Sequence, residues 1–217
     1  WLNFNQALAK SDNVYFYEMG NRLGIENIDL YARYFGLGEK TGINLVGEAA
    51  GNVASPEYKR KVFDQDWYLG ETFDAAIGQS FHLATPLQMA VLLSQVANGG
   101  IRYQPYVVSR VDNPDGTPAE IFGPKNLGVL PVPKNIMDLI REGLRDVTNE
   151  GGTAGALFKG FPIAVAGKTG TAENAHGRDH GWFVAYAPYD KPQIVVVALV
   201  EQGGFGAGSA GPIVRDI

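Results

Sequence analysis

The sequence Lys168-Thr169-Gly170-Thr171-Ala172 lies between two apolar runs, Phe161 to Ala166 and Trp182 to Ala187. This placement predicts that the five residues lie at the end or along the edge of a strand. A lysine there supplies a charge-assisted contact, two threonines supply hydroxyl donors, and a glycine without Cβ lets another backbone approach. The combination suits carboxylate binding, although a lysine that merely flanks a strand turn would match the same letters.

Ser11-Asp12-Asn13 is the only S-x-N triplet in the chain and precedes Lys168 by 157 residues. Taken alone, it is typical of a helix N-cap, because Ser, Asp and Asn all cap well. S-x-x-K, S-D-N and K-T-G together form the catalytic signature of penicillin-binding proteins and class A β-lactamases. The order and wide separation of the two motifs found here indicate that they converge in space from different elements.

The third motif does not occur in these 217 residues, since no Ser or Thr is followed three residues later by Lys. Ser55 comes closest, with Lys59 four residues on. In the signature this serine is the nucleophile, and a lysine one helical turn away helps to activate it. We therefore expect the chain alone to be inactive. Either the chain begins downstream of the nucleophile, or the similarity to the signature is false.

Further motifs favour the first option. In chain order they are Tyr15-Phe16-Tyr17, Thr41 to Leu45, Gly47 to Gly51, Trp67 to Thr72, Ala75 to Gln79, Ala84 to Ala90, Ala97 to Gly100, Asp179 to Phe183 and Ala187-Pro188. Over nearly the whole chain they resemble the transpeptidase domain of class B penicillin-binding proteins, most of all the elongation-type penicillin-binding protein 2. Two positions depart from the family pattern: Ser80 replaces a usual glycine, and Val46 a usual proline. Neither touches the expected chemistry, although Ser80 could alter a local turn.

The resemblance implies an α+β fold of the β-lactamase/transpeptidase type. In it an antiparallel sheet packs with helices, a helical lobe is added, and the active site lies in the cleft between the two lobes. Residues 1–217 are expected to be a single domain, the C-terminal part of a transpeptidase domain, incomplete without the nucleophile helix and the strands before it. The chain is then expected to need its missing N-terminal part or another chain. A sheet edge beside the strand Ile194 to Val200 should be exposed and prone to pairing.

The resemblance also implies the site residues, which are Ser11, Asn13 and Lys168 as catalytic residues and Thr169, Gly170 and Thr171 as substrate-binding residues. Ser11 would relay a proton towards the leaving group, and Asn13 would hydrogen-bond the substrate amide or the nucleophile's lysine. Lys168 would supply positive potential. Thr169 and Thr171 would bind the terminal carboxylate, and the strand backbone around Thr171 would give an oxyanion-hole N–H.

The implied activity is that of a peptidoglycan D,D-transpeptidase, which attacks a D-Ala-D-Ala stem peptide and passes the acyl group to an amine. The implied partners are stem peptides and β-lactams, and no cofactor is expected. The parent protein would be anchored at the extracytoplasmic face of the bacterial membrane, in a cell-wall elongation complex. Two alternatives stay open: a serine β-lactamase or D,D-carboxypeptidase with the same cleft, and a non-catalytic penicillin-recognising sensor or scaffold module.

Composition excludes several other classes. The chain is 45% hydrophobic and 19% charged, which is typical of a globular protein. Its net charge of −5, without a long charge run, argues against nucleic-acid binding. Without an 18-residue apolar stretch or a signal peptide, the chain is expected to be soluble by sequence alone, with any anchor upstream. The lack of cysteine excludes disulfides and thiol catalysis.

The layout is predicted as mainly helical in the first hundred residues and strand-rich at the end. Predicted helices are Ile28 to Phe35, Pro86 to Ala97 with Thr85 as N-cap, and Pro133 to Val147 with Ile136, Leu139, Ile140, Leu144 and Val147 buried. A hairpin or extended excursion is predicted around Asn113-Pro114-Asp115-Gly116. Predicted strands are Ile163 to Ala166, Trp182 to Tyr186 and Ile194 to Val200, followed by a flexible turn from Gly203 to Ser209 and a helix from Ala210.

His176, Asp179 and His180 are candidate metal ligands, because the two histidines are four residues apart. Gly177 and Gly181 argue against the helix that this spacing would need, and the resemblance places His180 at the start of a strand. We therefore predict a structural hydrogen-bonding role and no metal site.

Lys168 also has a purely structural explanation, in which its ammonium pairs with the carboxylate of Glu173.

Overall fold

The computed structural model describes all residues from Trp1 to Ile217, as nine helices and seven strands. The helices are α1 Phe4–Lys10, α2 Asn13–Leu23, α3 Ile25–Tyr34, α4 Pro56–Phe63, α5 Leu69–Ala76, α6 Pro86–Ala97, α7 Lys134–Thr148, α8 Gly155–Phe158 and α9 Gly206–Asp216. The strands are β1 Ile101–Gln104, β2 Arg110–Asp112, β3 Pro118–Ile121, β4 Lys125–Val129, β5 Ala166–Ala172, β6 His180–Ala187 and β7 Ile194–Val200. No helix is long and apolar enough to cross a membrane.

The main sheet is antiparallel with the order β5-β6-β7, so the predicted antiparallel arrangement is confirmed and β7 is an edge strand. The prediction for its first strand was wrong. β5 begins at Ala166, where the predicted strand ends, and includes the whole Lys168 to Ala172 motif, while Ile163 is 47% exposed. Pairing with β6 fixes β5 through its backbone, with Lys168 opposite Val184. Its small and polar residues therefore carry little apolar periodicity that would mark a strand.

β6 separates two apolar cores because its side chains alternate between the faces of the sheet. Val184 and Tyr186 face the first core, formed with α6 and α7. Phe183 and Ala185 face the second core, formed with α8, α9 and the end of α7. The sheet is thus covered by helices on both faces, and the outer edge of β5 remains open.

Helix α6 has the predicted bounds and cap. The Thr85 hydroxyl accepts from the Gln88 N–H at 3.1 Å, the Gln88 side chain accepts from the Thr85 N–H at 2.8 Å, and Pro86 occupies the first turn. These reciprocal bonds satisfy N–H groups that a helix start leaves free. Its apolar residues, including Leu93 and Val96, pack into the first core.

Helix α7 occurs where predicted, but its buried face is partly different. Leu144 and Val147 are buried as expected, whereas Ile136 and Leu139 are 42% and 38% exposed. Met137 is buried instead. Met137 lies seven residues before Leu144 on the same face of α7, and both side chains pack into the first core.

Helix α9 begins four residues before the predicted start, so the flexible turn predicted from Gly203 to Ser209 is wrong over its second half. Pro212 therefore lies inside the helix and not in its first turn. The glycines have a packing role here: a Cβ on Gly206 would lie 2.1 Å from Trp182 O and 2.3 Å from Gly170 O. Only a glycine lets the helix begin so close to the sheet.

The remaining elements form the helical lobe and an excursion. Helices α2 to α5 surround a small core of Ile25, Ala54 and Ala75. The predicted excursion is a double hairpin, in which β1 pairs with β4 and β2 pairs with β3 around the Asn113 turn. The cleft lies where the helical lobe faces the open edge of β5.

Candidate active site

Ser11 occupies the junction of α1 and α2. It ends α1 in the left-handed region, with φ 54° and ψ 48°. The next residue, Asp12, caps α2 by accepting from the Tyr15 N–H at 2.8 Å, and Asn13 is the first residue of that helix. The triplet is therefore a helix cap and a cleft motif at once. Because Asp12 alone provides the cap, Ser11 and Asn13 are left to line the cleft.

Lys168 extends from β5 to this junction. Its ammonium donates to Ser11 Oγ at 2.8 Å and to the Thr169 carbonyl at 2.7 Å. Glu173 lines the same cleft but forms no ion pair with it, so the structural explanation for the lysine fails. Burial without a carboxylate partner lowers the pKa of Lys168 to about 8. The group can therefore lose and regain a proton near neutral pH.

The open edge of β5 presents backbone groups to the cleft. The Thr169 carbonyl accepts from Lys168 Nζ, and the Thr171 carbonyl accepts from Gln79 Nε2 at 3.2 Å. Both donors are side-chain nitrogens and not N–H groups of a neighbouring strand, and residues two apart on a strand point their backbone groups to the same edge. The N–H of Thr171 therefore faces the cleft too, where an oxyanion donor would have to lie.

The cleft has a volume of ≈ 1390 Å³. The structure brings all six predicted site residues together on its walls: Ser11, Asn13, Lys168, Thr169, Gly170 and Thr171. Their chemical roles stay predictions.

Among the other residues that line this cleft, Gln79, Ser80 and Thr153 were not predicted as site residues and stand out by their contacts or backbone conformation. Gln79 joins the helical lobe to β5 through the Thr171 carbonyl. Ser80 has a φ of 63°, which explains why the resembling family usually has glycine there. The Thr153 hydroxyl lies 2.9 Å from Thr169 Oγ1.

The histidines near the cleft have local structural contacts. His180 Nδ1 accepts from the Gln202 N–H at 3.0 Å, which ties the start of β6 to the end of β7. The His176 N–H donates to Asn174 Oδ1 at 3.0 Å within its own turn. No group of three or more His, Cys, Asp or Glu side chains has the arrangement of a metal site.

Solved structures of known proteins share this arrangement. Penicillin-binding protein 2 of Pseudomonas aeruginosa, solved with WCK 5153, superposes with a TM-score of 0.86 at 35% identity, over 99% of this chain and 48% of that one. Penicillin-binding protein 2 of Helicobacter pylori, solved in complex with MreC, superposes with a TM-score of 0.85 at 34% identity. The superposition covers 99% of this chain and 39% of that one. These likenesses show the β-lactamase/transpeptidase-like fold.

Sequence comparison agrees. The peptidoglycan D,D-transpeptidase MrdA of Escherichia coli K12 is 33% identical over 232 residues, which cover 100% of this chain and 36% of that protein. The MrdA protein of Haemophilus influenzae is 32% identical, over 99% of this chain and 35% of that protein. The chain thus spans about a third of the length of these curated relatives. A sequence model of the penicillin binding protein transpeptidase domain matches residues 1–217, and the chain belongs to that family.

Proposed function

We propose that this chain supplies the Ser11 and Lys168 half of the active site of a peptidoglycan D,D-transpeptidase, as part of one transpeptidase domain. The observation that carries the proposal is the 2.8 Å contact between Lys168 Nζ and Ser11 Oγ inside the cleft. The contact joins the two motifs of the family signature that the sequence contains.

Ser11 and Lys168 would deliver a proton to the leaving amine during acylation. With a pKa of about 8, Lys168 is protonated in about nine of ten molecules at pH 7. Its ammonium donates to Ser11 Oγ, which leaves the hydroxyl proton of Ser11 free to point into the cleft. Ser11 would give that proton to the departing nitrogen and take one from Lys168. The neutral lysine would then recover a proton from solvent or from the next substrate amine.

The other residues would hold the substrate. Asn13 would hydrogen-bond the substrate amide or the nucleophile's lysine, and the hydroxyls of Thr169 and Thr171 would bind the terminal carboxylate. The N–H of Thr171 would stabilise the tetrahedral oxyanion, at about 3 kcal/mol for one such donor. Gly170 would leave the strand without a side chain on the face opposite the two threonines, where a Cβ would lie 3.2 Å from Trp182 Cβ.

The nucleophile and its lysine would come from outside these 217 residues, in which no Ser-x-x-Lys or Thr-x-x-Lys occurs. We further propose D-Ala-D-Ala stem peptides and β-lactams as ligands, and a place at the extracytoplasmic face of the membrane in a cell-wall elongation complex. Two solved relatives support the complex: one is bound to MreC, and another belongs to a peptidoglycan synthase complex that coordinates polymerisation and crosslinking.

Product analysis tests the proposal with the intact protein, meaning these 217 residues together with the segment that carries the nucleophile. The protein would be incubated with a pentapeptide donor, first alone and then with an amine acceptor, and the products separated by mass spectrometry. A transpeptidase yields the cross-linked product and releases D-alanine. Release of D-alanine without cross-linking would show a carboxypeptidase instead, and the absence of both products would favour a non-catalytic module.

A further inference from the structure

Thr153 contacts the elements that carry both motifs of the site. It lies in the turn between α7 and α8, and its N–H donates to the carbonyl of Ala9 in α1 at 3.0 Å. Ala9 is two residues before Ser11. The Thr153 hydroxyl lies 2.9 Å from Thr169 Oγ1 on β5. One residue therefore links the helix that leads to Ser11 with the strand that carries Lys168.

The backbone of this turn is tightly held. Gly151 has a φ of 87°, and a Cβ on Gly152 would lie 2.2 Å from Asp146 O and 2.3 Å from Val147 O. Just after Thr153, the N–H of residue 154 donates to Val147 O at 2.9 Å. Because threonine is also restricted at its first side-chain torsion, few positions are open to the Thr153 hydroxyl, and the one observed lies beside Thr169 Oγ1.

The direction of the hydrogen bond between the two threonines decides what Thr169 can do. Either hydroxyl can be the donor. If Thr169 donates, its single hydroxyl proton points towards Thr153 and cannot donate to a ligand in the cleft. If Thr153 donates, the Thr169 proton is free to point into the cleft. A carboxylate beside Lys168 accepts hydrogen bonds only, so it selects the second arrangement.

We propose that Thr153 is a positioning residue that donates to Thr169 Oγ1 and so directs the Thr169 proton towards a substrate carboxylate. The chain of two hydroxyls and one anion strengthens each of its hydrogen bonds, since each polarises the next. Thr153 thereby makes the cleft prefer a ligand with a free carboxylate over one with a neutral end. This inference rests on the proposed function, in which Thr169 binds that carboxylate.

A pair of matched substitutions separates the hydroxyl from the shape of the side chain. Thr153→Val removes the donor and keeps the volume, while Thr153→Ser keeps the donor. The affinities of N-acetyl-D-alanyl-D-alanine and of its C-terminal amide for the intact protein would be measured by NMR titration, which requires no catalysis. We expect Thr153→Val to lower the acid-over-amide preference about tenfold, which equals about 1.4 kcal/mol. Thr153→Ser should retain the preference of the unmodified protein.

The preference for a free carboxylate is also measured kinetically, as the ratio of the acylation rate with benzylpenicillin to the acylation rate with its methyl ester. A folding defect changes the two rates of one variant alike and cancels in their ratio. Two results would overturn the inference: a Thr153→Val protein that keeps the full preference, or an unmodified protein that shows none. If the acid preference depends on Thr153 but penicillin never acylates the protein, the inference holds and the proposed function fails.

Discussion

Lys168 Nζ lies 2.8 Å from Ser11 Oγ, although 157 residues separate them in the sequence. Lys168 lies on β5, the open edge of the main sheet, and Ser11 lies at the junction of two helices in front of that edge. The contact therefore depends on how the helices pack against the sheet. The acylation rate should therefore fall when either side chain is replaced, and also when the packing that brings the two side chains together is disturbed.

The Ser11 hydroxyl is expected to be essential for acylation, and its backbone conformation allows a clean test. Ser11→Gly removes the hydroxyl and suits the φ of 54°, whereas Ser11→Ala removes the hydroxyl and keeps the left-handed strain. Both variants of the intact protein should lose about 100-fold or more in the acylation rate with a fluorescent penicillin. Ser11→Gly should unfold at a higher urea concentration than Ser11→Ala, because glycine relieves the left-handed strain that alanine keeps. A Ser11→Gly protein that acylates at the normal rate would exclude the proton relay.

Lys168 should make stability rise with pH. Its pKa is lowered from 10.5 to about 8 in the folded protein, so between these two values the unfolded chain binds more protons than the folded one. Stability therefore increases across this window, because the folded state no longer has to bury the ammonium. Below pH 8 both states are protonated and the penalty of burial is constant.

The measurement compares urea unfolding of the unmodified protein and of Lys168→Met from about pH 7.5 to pH 10. We expect the unmodified protein to gain roughly 1–3 kcal/mol relative to the variant over this range. Tyr186, whose pKa is raised by burial, is present in both proteins and cancels in the difference. A difference that stays flat with pH would mean that Lys168 is not desolvated.

The 217-residue chain on its own should form no stable adduct with a β-lactam, because it contains no Ser-x-x-Lys. Intact-mass measurement after incubation with penicillin should show only the unmodified mass. The intact protein serves as the positive control. A stoichiometric adduct on the isolated chain would show that the nucleophile has been misidentified, and Ser11 would be the first residue to examine.

Local sequence signals predicted the elements whose ends are determined locally. Thr85 and Pro86 begin α6 through a capping box, and the Asn113 turn closes a hairpin. The start of β5 and the start of α9 were missed because contacts distant in sequence determine them. β5 is fixed by its ladder with β6, and α9 begins where Gly206 can approach the carbonyls of two strands.

The site was predictable where residue type and motif order carry the chemistry. Ser11, Asn13 and the residues around Lys168 could be named from the sequence, and all of them line the cleft. Thr153 and Gln79 could not be named. Each reaches the cleft through one contact with β5, and neither a threonine after two glycines nor a glutamine in a loop signals such a contact.

Ser80 should be replaceable by glycine with a gain in stability. Its φ of 63° costs a non-glycine residue about 1 kcal/mol, which Ser80→Gly removes. Glycine also increases the entropy of the unfolded chain, so the net gain should be smaller than that. Ser80→Ala is the matched control, because it keeps the strain. We expect Ser80→Gly to be more stable than Ser80→Ala in urea unfolding, by less than about 1 kcal/mol. Equal stability of the two variants would contradict the left-handed conformation.

The contact between α9 and the sheet should make Gly206 irreplaceable, while Gly208 in the same helix should tolerate alanine. A Cβ on Gly206 would meet the backbone oxygens of Trp182 and Gly170 at 2.1 and 2.3 Å. Backbone atoms in a paired sheet cannot rotate away, so either α9 or β5 must move. We expect Gly206→Ala to destabilise the protein by roughly 1–3 kcal/mol.

Gly208 is the matched control, since no atom lies within 4 Å of the Cβ that alanine would add there. Gly208→Ala should stabilise the protein by up to about 1 kcal/mol, because alanine is the better helix former. Both variants would be compared by urea unfolding and by penicillin acylation of the intact protein. Gly206→Ala should also lower the acylation rate, since Gly170 lies between Thr169 and Thr171 on the strand that moves. If both variants were equally stable, α9 could not begin against the strand that carries Lys168.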